Sequence, residues 1–232
     1  MILVPDQTSP SPNLTGAPSM LDHLNAEQSA AVLHGDAPLL VVAGAGSGKT
    51  LTLATRMARL VLDGADPRRI LLMSFSRRAA AEMARRAGRL LHQALGLPST
   101  THPPELPWCG TFHSVAARLL RDHAGSLGLA ADFSVIDRSD TEELLAITRT
   151  RLDLHDSDRR FPLARTCMAL LSRTLNSQRP LAEVLTTHYP WCAEWQADLQ
   201  RLFAAYTDAK QAQRVLDYDD LLLYWHLAVQ EP

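Results

Sequence analysis

Residues 43–50 read Ala43-Gly44-Ala45-Gly46-Ser47-Gly48-Lys49-Thr50, and the apolar run Leu39-Leu40-Val41-Val42 leads directly into them. That run predicts a buried strand, and the apolar periodicity from Lys49 to Leu62 predicts a helix. A glycine-rich turn between a strand and a helix makes a phosphate cradle, because small residues let successive backbone N–H groups and the helix N-terminus point at an anion. Lys49 then reaches the terminal phosphates of a nucleoside triphosphate, and the Thr50 hydroxyl joins a Mg²⁺ shell. The strict pattern has glycine where this chain has Ala43, which is tolerable if only the later glycines need unusual backbone angles.

Before the cradle, Asn25 can cap a helix through Leu33, with Gln28 three residues later as in a capping box. Asp63-Gly64-Ala65-Asp66-Pro67 stops the helix that follows the cradle. Ile70-Leu71-Leu72-Met73-Ser74-Phe75 predicts a second strand and Arg78 to Leu91 its helix, so the chain opens βαβα and belongs to the α/β class with a parallel sheet. Residues 96–107 are Pro/Thr/His-rich and loop-like. Trp108 to Phe112 predicts a short strand or turn, and Ser114 to His123 a helix. Beyond it helices dominate: Thr141 to Arg151, Leu163 to Leu175, Leu181 to Thr187, Trp191 to Arg214 and Leu216 to Val229. Trp191, Trp195 and Phe203 are expected in the core of this helical part. Residues 1–20, with four prolines among Ser, Thr, Asn and Gly, are expected to form a flexible tail.

The 232 residues carry 23 Lys+Arg against 25 Asp+Glu, a formal charge of −2, which excludes a basic nucleic-acid footprint spread over the whole chain. The balance hides an asymmetry. Between Arg56 and Arg89 lie nine arginines and only Asp63, Asp66 and Glu82, while the sign reverses between Asp132 and Asp158. Lys49 and Lys210 are the only lysines, so an arginine-writing sequence places a flexible point charge in its cradle. Three widely spaced cysteines exclude a disulfide framework and a CxxC pair. No apolar run is long enough for a membrane span and no leader is recognisable, so a cytoplasmic protein with no membrane partner is expected.

Four stretches flank the cradle in a telling order: Leu24-Asn25-Ala26-Glu27-Gln28 before it, Phe75-Ser76-Arg77-Arg78-Ala79-Ala80-Ala81-Glu82-Met83 after the second strand, Gly110-Thr111-Phe112-His113-Ser114, and Asp217-Tyr218-Asp219-Asp220-Leu221-Leu222. With the cradle they resemble the N-terminal part of the UvrD/Rep/PcrA family of superfamily 1 DNA helicases, over residues 21–232. The resemblance implies a RecA-like P-loop NTPase parallel sheet, incomplete here, with a mainly α-helical inserted subdomain. Residues 21–123 would be the first part of the ATP-binding domain 1A, 124–214 the 1B-like insertion, and 215–232 the return to 1A.

By the same resemblance, Ala43 to Thr50 would bind ATP with Mg²⁺ at Thr50, and Lys49 and Thr50 would serve catalysis. Gln28 would read the adenine edge, beside or instead of its capping role. Phe75, Ser76, Arg77 and Arg78 match a first single-stranded DNA motif that usually reads Phe-Thr-Asn-Lys, keeping positive charge but replacing the Asn. Arg85 and Arg86 fit either that surface or a solvated helix face. Thr111, Phe112 and His113 match a second DNA motif, the hydroxyl for phosphate and the ring for stacking, although a lone Phe also suits a core. Leu51 stands where family members often carry an Arg. Glu27 and Asp217 to Asp220 are read as helix-start carboxylates.

The implied activity is that of a monomeric ATP-dependent 3′-to-5′ DNA helicase or translocase acting on single-stranded DNA, or on duplex with a 3′ tail in the whole protein. Hydrolysis in this family needs a later carboxylate pair and arginines from a second motor domain, and neither is recognisable before Pro232. The apolar-then-acid runs ending at Asp137 and Asp217 are unconvincing substitutes. The chain is therefore expected to bind without turning over alone. Two other readings stay open: a stand-alone module for ATP or single-stranded DNA, and a small P-loop kinase using Asp137 for Mg²⁺.

Overall fold

The computed structural model describes residues 20–96, 106–154 and 161–230. The expected tail and most of the 96–107 loop lie outside the described residues. The fold is mixed α/β, mostly helical, with small parallel strand pairs. It divides into two compact units, residues 1–115 and 116–232.

The first unit begins with α1 (Ala26–Leu33), closed at its start by the full capping box: the Asn25 side chain accepts the Gln28 N–H at 2.8 Å, and Gln28 accepts the Asn25 N–H at 3.0 Å. Helix α2 (Lys49–Leu62) starts directly after the glycine turn and ends at Asp63, as the Asp-Gly-x-Asp-Pro stretch requires. Strand β1 (Leu72–Ser74), helix α3 (Arg77–Ala94) and strand β2 (Cys109–Thr111) follow, with Leu72 opposite Cys109 and Ser74 opposite Thr111 in a parallel pair. The core of this unit is small: Ala54, Met57 and Ala58 of α2 pack with Ile70 and with Ala87 and Leu91 of α3. Alanines at this contact allow close approach of α2 and α3 and leave little apolar area buried.

The strand predicted at Leu39–Val42 is not formed. These residues have no ladder partner among the described residues, and Leu40 and Val42 are 86% and 89% exposed. The physical reason is pairing: a strand exists by its neighbour, and the described sheet holds only β1 and β2. The apolar composition suits a buried strand, and no described strand lies beside it to bury it.

Helix α4 (Phe112–Asp122) contains the division between the units. The second unit continues with β3 (Ser134–Val135), α5 (Arg138–Arg151), α6 (Ala164–Ser177), α7 (Leu181–His188), a 3₁₀ turn at Pro190–Trp195, α8 (Gln196–Gln213), β4 (Val215–Leu216) and α9 (Tyr218–Gln230). β3 and β4 pair in parallel, Ser134 opposite Val215, so the chain leaves for the helices α5–α8 and returns from them side by side. The core is substantial: Leu145, Cys167, Leu170, Val184, Leu185, Cys192, Leu199, Leu202 and Tyr206 are all nearly inaccessible. Trp195 and Phe203 pack against it, with Trp195 edge-on to Phe161 at 5.3 Å. Trp191 does not belong to that core. The 3₁₀ turn points Cys192 inward and leaves Trp191 61% exposed.

Both apolar-then-acid runs are spoken for. Asp137 caps α5, its Oδ1 accepting the N–H groups of Ser139 at 2.7 Å and Asp140 at 3.1 Å. Asp217 and Asp220 cap the start of α9 reciprocally, each accepting the other's N–H, and both receive the ammonium of buried Lys210, at 2.8 and 2.5 Å. The Tyr206 hydroxyl donates to the same Asp217 oxygen at 2.8 Å. Burial pushes both carboxyls up. At Asp217, Lys210 and these hydrogen bonds more than offset it and hold the carboxyl below its ordinary value, whereas Asp220, repelled by Asp217 as well, stays above.

Candidate nucleotide and nucleic-acid site

The cradle has the geometry its glycines were expected to supply. Gly46 and Gly48 adopt φ of 76° and 84°, in the left-handed region that costs an L side chain, and Ala43 does not. Gly48 is the N-cap of α2, so the orphan N–H groups of that helix open onto the loop. Ser47 ties the turn by donating to the Gly44 carbonyl at 2.8 Å. The Lys49 ammonium folds back on the carbonyls of Ala43, at 2.8 Å, and Gly44. Thr52 and Thr55 spend their hydroxyls on carbonyls four residues earlier, whereas the hydroxyl of exposed Thr50 has no hydrogen-bond partner among the described residues. An oxygen ligand in the first turn is thus available for a hard cation that takes its other ligands from phosphate.

Gln28 reaches this loop from α1. Its Nε2 donates to the Ser47 carbonyl at 2.9 Å while its Oε1 serves the capping box, so one side chain ties the start of α1 to the glycine-rich loop. A side chain at position 48 would collide with that amide, a second reason for glycine there.

An open cavity of about 980 Å³ lies against the cradle, lined by Gly46 to Leu51 on one side and by Ser76, Arg78, Glu82, Arg85 and Arg86 of the α3 segment on the other. Glu82 is clasped by Arg85 and, at 2.6 Å, by Arg86. Sequence reasoning did not place these three residues beside the glycine-rich loop. Their i, i+3 and i, i+4 spacing with the start of α3 was the available signal, since it puts Arg78, Glu82, Arg85 and Arg86 on one helix face. Exposed Arg77 is not part of that wall.

The two stretches read as DNA motifs sit at the carboxyl ends of β1 and β2, where open α/β sheets receive ligands. Each ends in a hydroxyl N-cap: Ser76 Oγ accepts the Ala79 N–H at 3.1 Å, and Thr111 and Ser114 bond each other reciprocally at the start of α4. Gly110 is required here because a Cβ would strike the Ser114 hydroxyl. Phe75 and Phe112 meet with ring centroids 5.5 Å apart, tilted by 35°. Phe75 is 95% exposed, so it contributes almost nothing to the core and offers a face for stacking. His113 lies beside Phe112, partly buried. Among the described residues no cluster of His, Cys, Asp and Glu forms a metal cage, and no helix is long and apolar enough to cross a membrane.

The family model described as UvrD/REP helicase N-terminal domain matches residues 24–232. The chain belongs to this helicase family. Among its curated relatives, an "ATP-dependent DNA helicase UvrD1" of Mycobacterium bovis is 36% identical over 219 residues, covering 91% of this chain and 26% of the relative. "DNA helicase II" of Escherichia coli is 33% identical over 208 residues, 89% of this chain and 27% of the relative. "ATP-dependent DNA helicase PcrA" of Staphylococcus aureus is 31% identical over 207 residues, 88% and 26%. The chain therefore spans about a quarter of the length of these relatives. Membership of the UvrD/REP family removes the kinase reading, and Asp137, committed to capping α5, offers it no support.

Proposed function

We propose that this chain is the ATP- and single-stranded-DNA-binding N-terminal portion of a monomeric, cytoplasmic, 3′-to-5′ DNA helicase or translocase. Its first unit is the beginning of a RecA-like domain, and residues 124–214 are a helical insertion whose two ends are zipped together at β3 and β4. ATP occupies the cradle Ala43 to Thr50, with its adenine at Gln28. Lys49 neutralises the outer phosphates, and the Thr50 hydroxyl holds Mg²⁺ together with phosphate oxygens. A divalent ion held there would neutralise charge on the phosphates. Glu82, the one carboxylate among the residues lining the cavity, is committed to Arg85 and Arg86, so these residues bind nucleotide without turning it over.

Single-stranded DNA crosses the carboxyl ends of β1 and β2. Phe75 and Phe112 stack on bases, Ser76, Thr111 and His113 meet the backbone, and Arg77 and Arg78 neutralise phosphate. The whole protein acts on duplex with a 3′ tail. The observation that carries the DNA reading is the fully exposed Phe75 ring held beside Phe112 at the start of two capped helices. An anisotropy titration with labelled oligothymidine at several salt concentrations tests it. Affinity should fall with salt at a log–log slope of about −0.7 per neutralised phosphate. A flat salt dependence, or no binding at low salt, contradicts it.

A further inference from the structure

Helix α1 is only eight residues long, and Val32 is its one buried side chain. A two-turn helix with so little apolar anchorage is held by its ends. Its last carbonyls have no partner within the helix, and its final turn contains no basic residue to meet the negative end of the helix dipole. One side chain of α2 supplies both needs. The Arg56 guanidinium donates through Nη1 to the carbonyls of Ala31 at 2.9 Å, Val32 at 3.4 Å and His34 at 2.6 Å, and through Nη2 to Gly35 at 3.0 Å. The planar fork suits carbonyls spread over the end of a helix, which a lysine ammonium, a single point of donation, serves less well.

The other end of α1 carries Gln28, whose amide touches the cradle through Ser47 and the helix cap through Asn25. A primary amide has two N–H donors and two lone pairs. These contacts use one of each and leave one donor and one acceptor, the pair that matches N7 and the N6 amino group of adenine. Guanine presents two acceptors on the same edge and cannot satisfy both. Where that amide points depends on where α1 sits against α2, and Arg56 fixes the end of α1 away from the cradle.

We propose that Arg56 is a positioning residue for base selection, clamping α1 so that Gln28 is presented to adenine while Lys49, two turns back along α2, holds phosphate. The proposal rests on the nucleotide reading of the cradle. The test is a set of titrations of the whole chain with fluorescent ATP, fluorescent GTP and inorganic tripolyphosphate, for wild type, Arg56→Lys and Arg56→Ala, each checked by circular dichroism. Wild type should favour ATP. Both variants should lower the ATP-to-GTP affinity ratio about fivefold or more, with tripolyphosphate binding unchanged within about twofold. If Arg56→Ala fails to fold, Arg56→Lys decides. A ratio unchanged in a folded variant overturns the role of Arg56 alone, as does a parallel loss of all three ligands. Wild type that binds tripolyphosphate but does not distinguish ATP from GTP also overturns it. Wild type that binds none of the three overturns the nucleotide reading and this inference with it.

Discussion

The two lysines of the chain mark the contrast between its two units. Lys49 in the first is exposed, folded over backbone carbonyls of the glycine-rich loop. Lys210 in the second is 4% exposed and locked between Asp217 and Asp220, its ammonium 4.6 Å from the centre of the Tyr206 ring. The surroundings follow suit. The first unit shows Leu40, Val42 and Phe75 to solvent and carries surface ion pairs such as Arg59–Asp63 that contribute about 1 kcal/mol at most. The second hides Leu145, Leu170, Leu199 and Leu202 completely. The first unit leaves the apolar run before its glycine-rich loop in water, while the second closes a larger leucine core, with Leu163 and Trp191 left at its surface.

The sharpest way to break the contrast is Lys210→Met. It leaves two carboxylates buried without their counter-charge and should destabilise the second unit by about 3–5 kcal/mol in urea unfolding. An unchanged midpoint would show that the network is cosmetic. The same network sets a pH dependence. Asp217, held below its ordinary value of 3.8, contributes stability that is present above that value and lost as pH falls through its lowered one. Asp220, held above it, works in the opposite sense, losing its contribution as pH rises through its raised value. The loss below the ordinary carboxylate range should vanish in Asp217→Asn.

A paired substitution sharpens the same point. Leu202→Ala should cost about 2–5 kcal/mol because it opens a cavity in a closed core. Leu40→Ser should cost less than about 0.5 kcal/mol, since the side chain is already in water. Comparable losses would mean that the apolar stretch before the cradle is packed. For Phe75→Ala, unfolding should be unchanged while affinity for single-stranded DNA falls by about 1–3 kcal/mol. The smallest effect concerns thiols. Burial pushes Cys167 up to about 12 and Cys192 to about 11, so both should react with a thiol reagent at neutral pH only after unfolding, and half-buried Cys109 faster than either.

Where a local rule sufficed, the sequence was enough to read the structure. The capping box at Asn25 and Gln28, the stop at Asp63-Gly64 and the turn at Gly46 and Gly48 all depend on residues a few positions apart. The Leu39–Val42 strand failed because apolar periodicity reports suitability for a sheet, and the sheet itself must be supplied from elsewhere in the chain. Trp191 failed for a similar reason: a 3₁₀ turn reverses which of two neighbours faces inward, and nothing in its composition signals that. Lys210 was flagged only by rarity. Its pairing with Asp217 and Asp220 needs α8, β4 and the start of α9 to be folded first. The wall formed by Arg78, Glu82, Arg85 and Arg86 against the cradle likewise depends on the packing of α3 beside α2.

The central claim is that the first unit binds a nucleoside triphosphate through the point charge of Lys49. A fluorescent-ATP titration of the wild-type chain against Lys49→Ala tests it most directly, since exposed Lys49 can be truncated without disturbing the core. Saturable binding by the wild type is expected, weakened in the variant by about 2–3 kcal/mol, on the order of 30- to 150-fold, with an unchanged unfolding midpoint. Equal affinity of the two proteins for ATP would contradict it.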